Sequence, residues 1–379
     1  MLRIIAGVTI LAASASASSA PLAFAKTLVV PIGNEPVGIV VADFNHDGNM
    51  DVAARNGSIA KISVALGSLV GTFNTAVSYP TSAENADANA QSLVVADFNK
   101  DDIPDLAVPN QYGSSPMPVS VFLGNPDGTF PAQAALFPSG TCPVAIAADD
   151  FNGDRKTDLV TADFEGTSVS VLLGQVNGTF ASPVNYAVGS FPNSVIVGDF
   201  NGDEKPDLLV ANEGSSNISL LTGMGDGTFA AEVSTPIASP LSLAAADLDG
   251  DGKLDVVVAA IGSDVSVLLG HGDGTFASAV SFPTGAAYKT NAVALADLDG
   301  DGRLDIIAAN GSTLSILRGF GNGTFSSPIS IDSINDATSI AVADFNGDDR
   351  LDLVVTNSSS GTFTLLTNDV LFSAGFEAR

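Results

Sequence analysis

The chain has 379 residues, a formal net charge of −28, and 42 acidic against 14 basic residues. Such an acidic balance excludes a protein that binds nucleic-acid phosphates or an anionic membrane surface. It suits a chain that gathers cations, and the length is enough to bury a large core.

The N-terminus carries Arg3, an apolar run from Ile4 to Ala13, and Ala23-Phe24-Ala25. This is the pattern of a signal peptide over residues 1–25, cleaved before Lys26. The apolar run is too short to span a bilayer, and no other candidate transmembrane span is visible. We therefore expect a secreted protein, extracellular or held in the periplasm or at a cell surface. Cys142 is the only cysteine, so no disulfide can form within the chain. It reads as a small buried side chain. His46 and His271 fall in Gly/Asp-rich turns.

Residues 26–369 repeat themselves. An aspartate-rich nonapeptide begins at Asp43, Asp97, Asp150, Asp199, Asp247, Asp297 and Asp344, at spacings of 54, 53, 49, 48, 50 and 47. A period near fifty points to a propeller, solenoid or array. A short apolar run precedes each nonapeptide, as in Ile39-Val40-Val41-Ala42. A second follows, as in Asp255 to Ala260, and a third, as in Val265 to Gly270. After a turn comes a fourth segment, as in Phe276 to Pro283. Each run is short, rich in Val, Ile and Leu, and bounded by turn residues, which predicts strands rather than helices. Four strands per unit is one propeller blade. The unit is too short for a sandwich domain.

The predicted fold is all-β: a seven-bladed β-propeller of four-stranded antiparallel blades. The last unit lacks an outer strand after Asn368, and Lys26 to Gly33 is a spare strand at the start. That strand is expected to complete the last blade and close the ring. The third-to-fourth strand turn also recurs, as in Gly225-Asp226-Gly227-Thr228-Phe229. Its Phe is expected to plug the base of its own blade. Residues 370–379 form a short tail outside the repeat.

The nonapeptides place oxygen donors at positions 1, 3, 5 and 9. These are Asp43, Asn45, Asp47 and Asp51 in the first, and Asp97, Asn99, Asp101 and Asp105 in the second. The third has Asp150, Asn152, Asp154 and Asp158, and the fourth Asp199, Asn201, Asp203 and Asp207. The fifth has Asp247, Asp249, Asp251 and Asp255, and the sixth Asp297, Asp299, Asp301 and Asp305. The last has Asp344, Asn346, Asp348 and Asp352. Calcium takes six to eight hard oxygens, and a tight loop converges them. One such loop could be a metal-free hairpin. Seven with the same spacing argue otherwise, because crowded carboxylates repel without a cation. We expect up to seven Ca²⁺ ions.

Gly at position 6 permits a left-handed bend. It stands in the loops of Asp43, Asp247 and Asp297, whereas Asp102, Arg155, Glu204 and Asp349 replace it elsewhere. The tightest sites are expected at Asp247 and Asp297, and the weakest at Asp150, where Arg155 also brings a cation. Positions 1, 3, 5 and 9 of the loops hold 23 of the 42 acids, and seven divalent ions would take the net charge from −28 to −14.

The repeated D-[FL]-[ND]-x-D-x-x-x-D loops and the L-G-x-x-x-G-T-F turns resemble the FG-GAP/VCBS repeat family, from about Lys26 to Asn368. The resemblance implies a propeller like the head of integrin α chains, with calcium between the first and second strands of a blade. The family spans adhesion proteins, lectin-like modules and propeller lyases, so membership leaves activity open.

The first reading is a non-catalytic binding or adhesion module with calcium as structural cement. The second is a carbohydrate-active propeller, lectin or lyase-like. Sugar sites favour aromatic platforms, and the chain has no Trp and four Tyr. A lyase needs a base held in a cleft, and no convergent triad is visible. The expected partner is an extracellular protein or glycan. The long loops 81–91 and 110–118 offer Glu84, Asp87, Asn110 and Tyr112 as candidate contacts.

Overall fold

The computed structural model describes residues 4–5, 8–9, 22, 24–57, 59–69, 71–81, 92–111, 117–285 and 289–368. Among the described residues the apolar runs of the repeat are strands, and helix is confined to two 3₁₀ turns of three residues each. Among the described residues no helix is long and apolar enough to cross a membrane.

Each unit climbs from inner to outer strand by short antiparallel connections. The second strands, such as Asp207–Asn212 and Asp352–Asn357, are buried along their whole length. Both of their faces meet neighbouring sheets, which is why their sequences are nearly unbroken in Val, Leu and Ala. The fourth strands, such as Val184–Ala187 and Val280–Pro283, are mostly exposed and form the rim. The first strands of the units line the axis, where Ile39, Leu93, Ile146 and Leu243 help enclose a narrow cavity of about 80 Å³.

The number of four-stranded blades corrects the sequence expectation of seven. Five four-stranded antiparallel blades form separate sheets, seven further strands join in one sheet, and Ile4–Ile5 pairs with Val8–Thr9 in a two-stranded one. The join is the continuous strand Ile329–Ala343. Its beginning pairs with Gly311–Leu317 and its end with Asp352–Asn357. The physical reason lies in one residue. Pro36, Pro143, Pro192 and Pro240 open the first strand of their units and have no N–H to donate. Ala337 stands in that place and pairs on both sides, with Gly311 and with Asn357, so the ladder is not interrupted.

The strand Phe24–Pro31 lies antiparallel on Thr362–Asn368. Chain start and chain end therefore share one core, in which Val30, Ile39 and Val52 pack with Ala341, Val354 and Phe363. Of the predicted signal peptide, all but a few residues lies outside the described residues, as does the tail 370–379.

The recurring Phe does not plug its own blade. Phe130 packs edge-on against Phe44 and Tyr79 of the preceding unit, Phe180 against Phe98 and Phe137, and Phe229 against Phe151 and Tyr186. Phe73 of the first unit reaches Phe345 of the last. A side chain at the bottom of a tight hairpin projects past its own sheet, so the nearest apolar surface belongs to the neighbour. The hairpin is held locally by Asp226, whose Oδ1 accepts from the Thr228 N–H at 3.0 Å and Oγ1 at 2.5 Å. Only the glycines of this turn take positive φ, 78° at Gly225 and 84° at Gly227.

Candidate metal centres

Every acidic loop folds by the same internal hydrogen bonds. The position 1 carboxylate accepts backbone N–H groups of positions 5 and 6, as Asp247 does from Asp251 at 3.2 Å and Gly252 at 2.8 Å. Position 3 also accepts from the position 5 N–H, as Asn45 does from Asp47 at 3.1 Å. Position 5 accepts from the position 7 N–H, as Asp301 does from Arg303 at 2.9 Å. Positions 1, 3 and 5 are thereby turned into one concavity. In the two all-Asp loops the oxygens of Asp247, Asp249 and Asp251, and of Asp297, Asp299 and Asp301, lie within 4.8 Å of one another.

The position 9 aspartates have a different role in the architecture. Asp51, Asp105, Asp158, Asp207, Asp255 and Asp352 are fully buried, and Asp305 nearly so. One oxygen of Asp158 accepts the Phe151 N–H at 2.9 Å and the other the Gly174 N–H at 2.6 Å. The carboxylate thus ties the loop to the turn after the third strand. Burial pushes Asp51, Asp105, Asp158, Asp207 and Asp352 up to about 6 and Asp305 up to about 7. Two backbone N–H groups oppose the rise, and the carboxylates of positions 1 and 5 (1 and 3 at Asp305) add to it. The converging oxygens of the fifth and sixth loops do not include Asp255 or Asp305.

The donor set fits a hard cation. Asp297 and Asp299 are buried anions, 6% and 4% exposed, and the nearest basic group to Asp299 is Arg318 at 3.6 Å. Burial and then the charge of Asp301 raise the pKa of Asp299. Arg303 lies 3.8 Å from Asp301, and two cations at these distances leave a cluster of three carboxylates under-compensated.

Family models for the FG-GAP-like repeat match residues 43–108, 150–210, 199–258, 247–308 and 297–355. The chain belongs to the FG-GAP-like repeat family. Among solved structures it is similar to BBS1N in its complex with ARL6DN, with a TM-score of 0.63 and 13% identity over 91% of this chain and 97% of that one. It is also similar to an Agrocybe aegerita lectin that recognises non-reducing terminal N-acetylglucosamine, with a TM-score of 0.56 and 19% identity over 91% and 98%. A protein of unknown function from Desulfotomaculum acetoxidans has a TM-score of 0.55 and 14% identity over 85% and 90%. At these identities the likeness is one of fold. No curated protein matches the sequence.

Three features of these FG-GAP loops were not read from sequence. First, position 4 is left-handed as well as position 6: His46 and Gly48 have φ of 56° and 86°, and Lys100 and Asp102 of 62° and 66°. The Asp97 loop is therefore the only one with non-glycine residues at both bends and a Lys at position 4. Second, position 7 is basic in five loops, and Lys156, Lys205 and Lys253 pair with the position 5 carboxylate of their own loop at 2.6, 3.3 and 2.7 Å. At the Asp150 loop the paired cation is thus Lys156, not the Arg155 singled out by the sequence. Third, three loops are docked to the next unit: the position 2 carbonyls of Phe151, Phe200 and Leu248 accept from Gly227, Gly274 and Gly323 at 3.0 to 3.1 Å.

A Cβ at Gly252 would meet nothing within 4 Å, so its φ of 83° is the whole constraint. Gly252→Ala is expected to destabilise the protein by about 1 kcal/mol, and Lys100→Gly to stabilise it by a similar amount. Urea midpoints at constant slope measure both.

Of the candidate partner contacts, Glu84, Asp87 and Tyr112 lie outside the described residues. Asn110 is corrected: it is buried, and its Nδ2 donates to the Pro118 carbonyl at 3.0 Å and to Ser120 Oγ at 2.8 Å. It belongs to a set of buried amides at the end of the second strands, with Asn56, Asn212 and Asn310 bonded in the same way to Ser63, Ser219 and Ser315. The signal for this was present in sequence as an Asn thirteen residues after the first Asp of a loop. Cys142 is buried, and burial raises its pKa. His46 and His271 are exposed on turns.

Proposed function

We propose that the chain is a secreted, non-catalytic binding module whose acidic loops hold calcium as structural cement. The observation that carries this reading is the convergence of Asp297, Asp299 and Asp301, two of them buried, in a loop docked to the last unit through the Leu298 carbonyl, which accepts from Asn368 Nδ2 at 2.6 Å. When bound, calcium supplies charge compensation there. The chain's own residues do the rest: positions 1, 3 and 5 present oxygens, the left-handed bends at 4 and 6 turn them inward, and position 9 fixes the loop to the sheet. Loop geometry then passes to the adjacent unit through the Gly hairpins, so metal occupancy and blade packing are coupled.

The binding role draws support from the fold. A propeller of rigid strands presents variable loops at fixed positions, and the similar BBS1N structure is a complex with a protein. Two measurements test the proposal. Elemental analysis of protein purified in calcium buffer is expected to show several bound calcium ions per chain. Immobilised protein is expected to retain a partner from an extracellular protein fraction or a glycan array. Calcium-free protein after the first, or no retained partner after the second, removes the corresponding half of the reading.

A further inference from the structure

The two ends of the propeller are built on opposite plans. At the acidic end the same side chains recur in every unit. At the other end the backbone, the prolines and the buried amides recur, but the side chains on either side of them do not. Glu35, Cys142, Phe191 and Ser239 each precede a proline, each has a positive φ, between 38° and 57°, and each offers its carbonyl to the residue just past the second strand. The donors are Gly57, Phe164, Glu213 and Ile261. The left-handed backbone of Phe191 is thus scaffold, and only its side chain is peculiar to this place. Non-repeating side chains on a repeating frame are what selective recognition requires, because packing and metal binding would reproduce the same residue in each unit.

Phe164, Phe191, Glu213 and Ile261 gather at one mouth of the axial channel. Phe191 is 48% exposed and stacks on Phe164, with ring centroids 5.2 Å apart and planes tilted by 35°. The ring lies across Gly214, where any Cβ would collide with it. Beside the pair is a cavity of about 240 Å³ lined by Phe164, Asn193, Glu213, Ile261 and Lys289. Asn193 Nδ2 donates to Glu213 Oε2 at 2.6 Å and orients the carboxylate. Lys289 makes no ion pair among the described residues, and its charge offsets that of Glu213.

We propose that this mouth, opposite the acidic loops, binds a neutral sugar ring. The proposal rests on the binding-module reading and names its ligand class and place. A pyranose has an apolar C–H face, which suits Ile261 and the Phe164 ring that Phe191 backs, and a belt of hydroxyls that both donate and accept. A carboxylate, an amide and an ammonium group are the partners such hydroxyls need. An apolar ligand would leave those groups buried without partners. An anionic ligand is opposed by Glu213 and by a net charge of −28. The volume, below the ~300 Å³ where drug-sized sites begin, suits one or two rings.

The frame itself supplies conservative variants. Ser239 occupies the place of Phe191 in another unit, Gln111 that of Glu213, and Ser358 that of Ile261. Phe191→Ser, Glu213→Gln and Ile261→Ser are therefore expected to fold, which calcium-dependent melting checks. The full chain in calcium is applied to an array of glycans ending in neutral hexoses, N-acetylhexosamines or uronic acids, and hits are titrated by calorimetry. Retention of neutral-terminated glycans, with affinity about tenfold or more weaker in Phe191→Ser and Glu213→Gln, is the expected result. The proposal is overturned if no glycan is retained, if only uronic acids are, or if Phe191→Ser binds as tightly as the parent. A protein partner lost with Phe191→Ser also overturns the sugar class. One kept by that variant leaves the binding-module reading intact while removing this site.

Discussion

In EDTA the protein is expected to melt about 10 °C or more below its melting temperature in excess calcium. A ligand at a hundred times its dissociation constant stabilises by about 2.7 kcal/mol per site. Several occupied sites on a chain of this size convert to at least that shift. The pH dependence of the chelated protein has a definite sign. Burial holds the carboxyls of Asp51, Asp105, Asp158, Asp207 and Asp352 near 6 and Asp305 near 7, against an ordinary 3.8, and raises Asp255 as well. The folded state then binds more protons than the unfolded state between about pH 4 and 7. Their contribution is fully present below about pH 4 and is lost as pH rises through 6 to 7. The chelated protein should therefore melt higher at pH 5.5 than at pH 7.5. Calcium reverses the order, because protons compete with it for the same loops. Calorimetric scans at both pH values, with and without EDTA, read both effects. Equal melting temperatures in EDTA and calcium would remove calcium from the account.

Asp158→Ala is expected to cost about 2–6 kcal/mol, in calcium and in EDTA alike. The substitution strips the acceptor from two buried N–H groups, those of Phe151 and Gly174, and each orphaned donor costs about 1–3 kcal/mol. Asp301→Ala should behave differently. Asp301 is half-buried and accepts from Arg303, so its loss in EDTA is small, and its larger effect appears only in calcium. Paired denaturant curves of the two variants separate the loop's anchor from its metal-facing oxygens. If Asp158→Ala were harmful only in calcium, position 9 would be foremost a metal ligand instead.

The repeat made most of the fold legible. A period near fifty and four apolar runs per unit were sufficient to specify a propeller, since local strand preference and turn chemistry act within a few residues. The positions of Asp43, Asp97 and their counterparts likewise located every acidic loop. What the sequence misjudged were matters of neighbours. Asn110 looked like a surface loop residue because its amide is polar, yet the Ser120 hydroxyl opposite it makes burial tolerable. Phe130 looked like a plug for its own blade because the partner, Phe44, lies far away along the chain. The count of separate blades turned on whether Ala337 would keep the ladder running, which depends on both flanking strands being in reach.

By itself the sequence determined the periodic β architecture, the family, and an oxygen-rich loop in every unit, because all of these are written in spacings within one unit. The tertiary structure decided which carboxylates converge and which serve as buried anchors. It decided that hairpins lock onto the preceding loop. It also gathered Phe164, Phe191, Glu213 and Ile261 at one mouth of the channel. Those residues come from three successive units, and only closure of the sheets around an axis places them side by side.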